Sequence, residues 1–431
     1  MSVTKRGLVL GATAVVLTTV GVTSAGVHFS QGQAFFRESP KELVDEVWQI
    51  IDRQYVDATF NQVDWRAVRS DYLDRDYENK EQAYDAIREM LEQLEDPYTR
   101  FMDPEEFKNM QIDTSGELTG VGIQITKDEE SDRLIVISPI EDTPAFEAGV
   151  VAKDIITKID ETDTLGMDVN DAVQLIRGKP GTQVTLTIRR GEEYLTFPIV
   201  RALIEIHPVE ARIETSPLGE VGYIRLKQFS AQAAEEMREI IGEYEDKDIV
   251  GYVLDLRSNP GGLLFASVEI ARMWIDQGLI VSTVNRLGTV ERQKANRKAL
   301  TDKPLVILVD GGSASASEIL SGALQDNQRA TLVGTKTFGK GLVQSVRNLG
   351  DGSGIAVTVA KYLTPNGRDI NKEGIEPDIV FELTETDREQ LRDDRTLIGT
   401  TQDPQFSEAL RILSTQITQD YTQEPPEKVT L

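Results

Sequence analysis

The residues best suited to chemistry lie in a run of small side chains, Asp310-Gly311-Gly312-Ser313-Ala314-Ser315-Ala316-Ser317-Glu318. The apolar, β-branched segment 305–309 precedes this run and predicts a buried strand. Segment 318–324 has apolar residues at helical spacing and predicts a helix that begins near Ser317. A strand-to-helix turn of small residues exposes a hydroxyl beside free backbone N–H groups, as serine nucleophiles require. We therefore predict a nucleophilic serine here, with Ser313, Ser315 and Ser317 as alternatives.

A serine nucleophile needs a base, and the composition leaves few candidates. The chain has no cysteine, which excludes a thiolate nucleophile, and only two histidines. His28 lies just beyond a predicted signal segment, so only His207 is available for a Ser-His-Asp triad. His207 stands before Pro208 in an extended stretch, where a lone histidine is more often a surface or packing residue. We therefore favour a lysine as the base.

Lys340 lies between two glycines and is the best-placed lysine. A lysine accepts a proton only when it is neutral, so its pKa must fall from about 10.4 to about 7–8. We expect the burial that lowers this pKa to come from Phe338, Leu342 and Val343. Segment 334–340 also imitates a phosphate-binding P-loop, but Gly341 replaces the required Ser or Thr and a strand-like segment follows. We therefore reject nucleotide binding.

A second turn, Asp255-Leu256-Arg257-Ser258-Asn259-Pro260-Gly261-Gly262, follows a predicted buried strand and opens a predicted helix. Asn-Pro-Gly-Gly is strong turn chemistry, so one interpretation is structural. The other interpretation is an oxyanion hole, because glycines leave N–H groups unshielded and a helix N-terminus adds positive potential.

The serine and lysine motifs together resemble the C-terminal processing peptidases, also called tail-specific proteases. The resemblance covers most of the chain, from about Lys41 to Leu383, and the spacing of 25 residues between Ser315 and Lys340 agrees with that family. It implies that Ser315 is the nucleophile, Lys340 the general base and Gln344 the residue that orients the lysine. It also implies oxyanion donors at the glycine turn and after the nucleophile. The candidates for these donors are Gly261, Gly262 and Ala316.

The same resemblance implies an α/β protein with a ClpP/crotonase-like core, an inserted PDZ domain and an N-terminal helical domain. Strands alternating with helices after Glu205 also predict a partly parallel sheet. We predict a signal peptide or membrane anchor over 1–25, a helical domain over 26–113 and a PDZ domain over 114–204. The protease core then covers 205–385, and a C-terminal helical extension covers 386–431.

The predicted PDZ domain has short strands, glycine turns and two short helices in the order typical of that fold. The loop Thr119-Gly120-Val121-Gly122-Ile123 matches the place where PDZ domains bind a terminal carboxylate with backbone N–H groups. Glycine suits this position because the backbone must approach the ligand closely. We therefore predict that the substrate tail binds at Gly120, Val121, Gly122 and Ile123.

The net charge of the chain limits its partners, and its N-terminal segment indicates where the protein is located. A net charge of −26 argues against nucleic acid or an anionic membrane surface as the main partner. Lys5 and Arg6 precede an uncharged, mostly apolar segment and then small residues, which predicts export by a signal peptide cleaved after Ala25. An uncleaved anchor is the alternative, and periplasm and thylakoid lumen remain equal candidates. No His/Cys cluster occurs, so we predict neither a metal nor a cofactor.

These observations predict an exported serine endopeptidase that cleaves proteins near their C-terminus, with the PDZ domain recognising the substrate tail. Its partners would be the C-terminal tails of substrate proteins, and the helical domain offers a surface for homo-oligomers. The alternative is a non-catalytic binding or scaffold protein on the same fold. Such a protein should have lost the serine or the lysine, whereas this chain keeps both.

Overall fold

The computed structural model describes residues 39–128, 131–140, 143–205, 207–217 and 219–423. The predicted signal segment, His28 and the C-terminal residues from Glu424 lie outside these ranges. The chain forms two compact units, one comprising Gly116–Ile206 and the other the residues before and after that insertion. We describe each unit by itself.

The larger unit begins with a helical region. Apolar residues recur at helical spacing over 43–51 and 83–94, so the sequence predicts only two helices here. Trp65–Asp74 and Pro104–Ser115 are helices that the pattern missed, and the first of them buries just three side chains. Asn79 caps the third helix as expected, since its Oδ1 accepts a bond from Gln82 N (3.0 Å). The elements of this region are α1 (Pro40–Gln54), α2 (Trp65–Asp74), α3 (Lys80–Glu92), β1 (Arg100–Met102) and α4 (Pro104–Ser115).

The smaller unit is a sheet with two short helices, and its core is formed by alternating strand residues such as Leu134, Val136, Leu186 and Ile188. β3, β4, β5, β7 and β8 form one antiparallel sheet, β6 pairs with β5, and β2 pairs with β9. Its elements are β2 (Glu117–Gly120), β3 (Ile123–Asp128), β4 (Arg133–Pro139), α5 (Pro144–Glu147), β5 (Ile155–Ile159), β6 (Thr162–Asp163), α6 (Val169–Ile176), β7 (Gln183–Arg190), β8 (Glu193–Val200) and β9 (Ala202–Glu205).

The chain then returns to the larger unit and builds two sheets. The first has the order β10-β11-β12-β15-β16-β19, parallel except for β10. Its middle strands are buried on both faces, so they read as continuous apolar runs. Its elements, with the helices that follow, are β10 (Val209–Ser216), β11 (Gly219–Leu226), α7 (Ala233–Asp246), β12 (Gly251–Asp255), α8 (Leu264–Trp274), β15 (Leu305–Val309), α9 (Ala316–Asp326), β16 (Thr331–Gly334) and β19 (Ile379–Val380).

The second sheet is antiparallel, and the long strand β18 is its centre. β17 pairs with one side of β18, while β1 and β13 pair with the other, and β14 extends the sheet from β13. Segment 279–284 is strand-like in sequence and was expected in the parallel sheet, but the strand that it forms, β13, belongs to this antiparallel sheet. The elements are β13 (Leu279–Asn285), β14 (Val290–Lys294), β17 (Leu342–Asn348) and β18 (Gly354–Leu363).

The C-terminal extension contains α10 (Glu385–Asp393), a 3₁₀ turn (Arg395–Leu397) and α11 (Pro404–Gln423). α11 buries Phe406, Ala409, Leu413 and Ile417 against the parallel sheet. It is longer than the predicted helix, which ends at Leu413. Within the described ranges, no helix combines the length and the apolar character that a membrane crossing requires.

Candidate active site

Ser315 lies at the turn between β15 and α9, as predicted from the strand-like segment 305–309 and the helical segment that follows it. Its backbone adopts φ 54° and ψ −109°, a conformation that non-glycine residues rarely adopt. Such a backbone costs on the order of 1–3 kcal/mol and is typical of the strained turns that display nucleophiles. Ser315 is fully buried.

The two competing serines have structural partners in the neighbouring glycine turn. Ser313 Oγ donates to the Leu256 carbonyl (2.8 Å) and accepts from the Asp310 N–H (3.0 Å). Ser317 Oγ donates to the Asn259 carbonyl (2.9 Å). These bonds hold the two turns against each other, so Ser313 and Ser317 serve as braces for the turn that carries Ser315.

Lys340 is 8% exposed, and burial together with the positive charge of Arg100 lowers its pKa to about 8. Asp96 and Glu318 oppose this shift, but their effect is smaller. Among the described residues, no carboxylate forms an ion pair with its Nζ. A buried ammonium without a bonded carboxylate loses its proton readily, so Lys340 is suited to act as a base.

The burial of Lys340 has a different source from the one that the sequence predicts. Phe338 is 57% exposed, so the expectation that it shields the lysine is wrong. Tyr98 contacts the lysine instead, with its ring centroid 4.4 Å from Nζ. The sequence indicates no chemistry in segment 96–101, and Tyr98 was therefore missed, because the contact joins residues 242 positions apart.

Both glycines beside Lys340 are required by close backbone approaches. Gly339 has φ 92°, and a Cβ there would lie 3.0 Å from Gly374 N. A Cβ at Gly341 would lie 2.6 Å from Asn371 N. The Gly-Lys-Gly turn is thus pressed against segment 370–374, which fixes the direction of the lysine backbone.

Glu318 joins the serine turn to the lysine turn, a role that the sequence pattern does not reveal. Its Oε2 accepts the N–H groups of Ser315 (2.9 Å) and Lys340 (2.8 Å). Its Oε1 accepts from Thr337 Oγ1 (2.6 Å) and Gly339 N (2.7 Å). The side chain is fully buried, and four donors compensate for its loss of water.

Tyr362 makes the second connection between the two turns. Its hydroxyl lies 3.1 Å from the Ser315 carbonyl and also bonds the Lys340 carbonyl. Burial raises the pKa of Tyr362 well above its usual value, so the hydroxyl keeps the proton that it donates. The main chains of Ser315 and Lys340 are therefore held together at both their N–H groups and their carbonyls.

The predicted oxyanion turn passes directly beside the nucleophile. A Cβ at Gly261 would lie 2.9 Å from both Ser315 Cβ and Ala316 N. The Gly261 N–H already donates to Asn259 Oδ1 (2.9 Å), which leaves it poorly suited to bind an oxyanion. Among the described residues, the N–H groups of Gly262 and Ala316 have no hydrogen-bond acceptor.

Gln344 is fully buried in β17, but its bonded partner is not the lysine. Its Nε2 donates to Thr358 Oγ1 (3.3 Å), and Thr358 in turn donates to Asp96 Oδ2 (2.7 Å). Gln344 Oε1 is buried and has no hydrogen-bond partner within the described residues. This oxygen is an unused acceptor on the strand that follows Lys340.

Arg257 anchors the Asn-Pro-Gly-Gly turn to the C-terminal extension. Its guanidinium donates to Asp255 (2.6 Å), Asp403 (2.6 Å) and Gln405 Oε1 (3.0 Å), and all four side chains are buried. Burial alone would lower the pKa of Arg257, but the two carboxylates outweigh it and raise the pKa well above its usual value. This cluster is a fully paired structural network.

The remaining predicted residues are His207 and the loop of the smaller unit. His207 is largely exposed and its Nδ1 lies 2.8 Å from Glu236 Oε1, which fits the surface role expected for it. In the smaller unit, Val121 and Gly122 are buried, and their carbonyls accept from Ala145 N (2.8 Å) and Ile140 N (2.8 Å) respectively. Gly122 has φ 83°, and a Cβ there would overlap Thr143.

Known proteins share both the sequence and the arrangement of this chain. Residues 220–381 match the model of peptidase family S41, and residues 135–190 match a PDZ domain model. A carboxyl-terminal-processing protease of Synechocystis sp. is 47% identical over 85% of this chain and 84% of its own. One of Picosynechococcus sp. is 48% identical over 79% of this chain and 83% of its own.

A solved structure, described as a photosystem II D1 C-terminal processing protease, is 36% identical and superposes with a TM-score of 0.56. It is matched over its full length and covers 86% of this chain. The expected fold, an α/β protein with a ClpP/crotonase-like protease core, an inserted PDZ domain and an N-terminal helical domain, is therefore confirmed. The non-catalytic scaffold alternative is set aside. The chain is a protease that belongs to the C-terminal processing peptidases of family S41.

Proposed function

We propose that this protease is exported and cleaves proteins near their C-terminus through a Ser315–Lys340 dyad. The observation that carries the proposal is the shared clamp of Glu318 and Tyr362, which holds a strained serine beside a buried lysine. The lowered pKa of Lys340 gives the base a substantial neutral fraction near neutral pH.

In the proposed reaction, neutral Lys340 takes the proton of Ser315 Oγ, and the oxygen attacks the scissile carbonyl. The N–H groups of Gly262 and Ala316 bind the oxyanion, an interaction worth roughly 3–4 kcal/mol for one donor. Protonated Lys340 then gives its proton to the leaving amine as the C–N bond breaks. Water hydrolyses the acyl-enzyme, with Lys340 again as the base.

Gln344 supports this cycle through its unused oxygen. Once Lys340 is protonated, Gln344 Oε1 can accept a hydrogen bond from the ammonium and orient it. In the resting structure the Gln344 amide is oriented by the bond from its Nε2 to Thr358, and Oε1 has no partner among the described residues.

The dyad is tested with a model protein that carries a cleavable C-terminal tail. Ser315→Ala and Lys340→Ala should each abolish tail removal, whereas Ser313→Ala should retain it if its fold survives. Circular dichroism and the unfolding transition of each variant control for folding. Equal turnover by wild type, Ser315→Ala and Lys340→Ala would overturn the dyad, and inhibition by chelators would overturn the metal-free mechanism.

The PDZ unit would select substrates by binding the tail at Gly120, Val121, Gly122 and Ile123, and its movement would gate access to Ser315. The observation in favour is that this segment joins β2 to β3 in a unit matched by a PDZ model. Deleting 115–201 should change which tails are cleaved. An unaltered cleavage profile would contradict this role.

The relatives also suggest a substrate and a compartment. Cyanobacterial and chloroplastic processing proteases are among them, and one similar structure is described as acting on photosystem II D1. We propose the D1 precursor as a substrate, in the thylakoid lumen or periplasm, with the N-terminus as signal or anchor. Incubation with a D1 precursor tail should release the C-terminal peptide, and cleavage of unrelated tails at the same rate would argue for a general envelope protease.

A further inference from the structure

A pocket of about 310 Å³ lies in the larger unit on the face of the antiparallel sheet, where helix α1 ends. Its walls come from the last turn of α1, the β13–β14 hairpin, and strands β17 and β18. The volume is sufficient for a small ligand. The residues proposed for catalysis do not line it, and the mechanism above makes no use of it.

The pocket is electropositive, although the chain carries a net charge of −26. Arg53 and Arg286 line it, and Arg286 is held in place because its guanidinium donates to the carbonyls of Asp52 (2.7 Å) and Arg53 (2.7 Å). Glu291 is the carboxylate in the lining. Among the described residues, neither Arg53 nor Arg286 forms an ion pair with a carboxylate.

Arg347 does not line the pocket, but it lies on the same face of β17 as two residues that do. Val343 and Ser345 line the pocket, and strand residues two apart point to the same face, so Arg347 continues that face of β17. Burial and the charge of Arg53 lower the pKa of Arg347, which shows that the two cations are close together. Like charges that lack a carboxylate partner destabilise the fold and favour an anionic ligand.

Two buried polar atoms also lack hydrogen-bond partners within the described part of the chain. Arg347 Nε is a donor and Gln54 Oε1 is an acceptor, and both are shielded from solvent. Buried polar atoms are normally bonded, so each orphan needs an explanation. Because neither atom is exposed, a ligand that combines an anion with a neighbouring N–H would satisfy both only after the side chains of Gln54 and Arg347 turn towards the pocket.

We propose that this pocket binds the terminal carboxylate of a peptide at a site separate from the Ser315–Lys340 centre. The carboxylate would be held by Arg53 and Arg347, and Gln54 Oε1 would accept the last peptide N–H. Apolar wall residues such as Val343 and Val359 would contact the terminal side chain. Each turnover of a C-terminal processing protease produces a new terminal carboxylate, so peptides with this group are present around the enzyme. Inorganic phosphate shares the anionic part but lacks the N–H and the side chain.

The proposal is tested by titrating the full-length protein with N-acetyl-L-alanine and following saturation-transfer NMR of the ligand. N-acetyl-L-alaninamide is the neutral probe, and inorganic phosphate is the competing anion. Arg53→Gln removes one charge from the lining of the pocket, and Arg347→Gln removes the charge that continues the pocket's face of β17. Arg292→Gln is the matched control, because Arg292 is exposed on β14 and does not line the pocket.

We expect saturable binding of N-acetyl-L-alanine that weakens at least tenfold in Arg53→Gln and Arg347→Gln but not in Arg292→Gln. The amide should bind at least tenfold more weakly than the acid. Arg53 is exposed, so its variant keeps the test valid if Arg347→Gln fails to fold. Equal binding in all four proteins, or tighter binding of phosphate than of N-acetyl-L-alanine, would overturn the proposal. Neither result depends on the catalytic dyad.

Discussion

Arg257 and Lys340 are both buried cations of the larger unit, but their surroundings differ. Arg257 is bonded to two buried carboxylates, and its pKa is raised well above the usual value. Lys340 has no bonded carboxylate among the described residues, and burial lowers its pKa to about 8. Burial therefore has opposite outcomes at the two sites. Arg257 stays charged because buried carboxylates pair with it, whereas Lys340 loses its proton more readily because none does.

The comparison shows how a protein separates structural charges from reactive ones. Glu318 lies close enough to the lysine turn to bind its N–H, but its oxygens are used by backbone and hydroxyl donors. The carboxylate therefore positions Lys340 without neutralising its ammonium by a direct ion pair. A local surplus of carboxylates would have made Lys340 resemble Arg257.

The largest expected effect is on catalysis in Lys340→Met, which keeps the length of the side chain but removes the base. We expect kcat/KM for tail removal to fall by about 10³-fold. The free energy of unfolding of the variant at pH 7 should be about 1–3 kcal/mol higher than that of the wild type, because a buried lysine with a pKa near 8 destabilises the fold. Urea unfolding and a cleavage assay measure the two quantities.

This stability gain has a defined pH dependence. The folded pKa of about 8 lies below the ordinary value of 10.5, so the unfolded chain binds more protons between those values. Wild-type stability relative to the Met variant should therefore be lowest below pH 8 and recover as pH rises to about 10.5. A Met variant that is less stable than wild type at pH 7 would contradict the view of Lys340 as a destabilising charge.

Arg257→Met should have the opposite effect on stability. It leaves Asp255 and Asp403 buried without their cation, and we expect a loss of about 3–5 kcal/mol in the free energy of unfolding. Arg238→Met is the matched control, because Arg238 is exposed on α7 and its loss should change stability by about 0.5 kcal/mol or less. Equal unfolding midpoints for both variants would remove the contrast between the two cations.

Glu318→Gln should lower catalytic activity less than Lys340→Met does, and mainly through kcat. The amide offers one acceptor oxygen where the carboxylate accepts four bonds, so the turns of Ser315 and Lys340 lose alignment. We expect about a 10–100-fold fall in kcat with a smaller change in KM. Glu389→Gln, on the exposed helix α10, is the control. A variant with wild-type kcat would show that the clamp is not needed for alignment.

The smallest effect is the pH dependence of the wild-type enzyme. Because Lys340 must be neutral, kcat/KM should rise about tenfold per pH unit below about 8 and level off above it. The profile is measured with a tail that has no titratable side chains. A plateau that begins near pH 6.5 would indicate a base of histidine type and would remove the special role of Lys340.

Much of the fold was accessible from sequence because local patterns govern it. β15 has the bounds that its apolar run predicts. The sequence pattern predicts helices over 263–276 and 317–327 and a strand over 221–226, and α8, α9 and β11 lie within a few residues of these segments. Helices α2 and α4 were missed because each buries too few residues for a clear periodicity. The placement of β13 in the antiparallel sheet was also missed, since a strand's pattern does not name its partner.

The sequence by itself determined which side chains were available for chemistry: serines in a small-residue turn, one lysine between glycines, and no cysteine. Only the tertiary structure decided that Tyr98 and not Phe338 faces the lysine, that Gly261 is already bonded, and that Glu318 and Tyr362 clamp the two turns. The physical reason is that reactivity depends on burial and on neighbouring charges. Those are supplied by residues far apart in the chain, and folding alone brings them together.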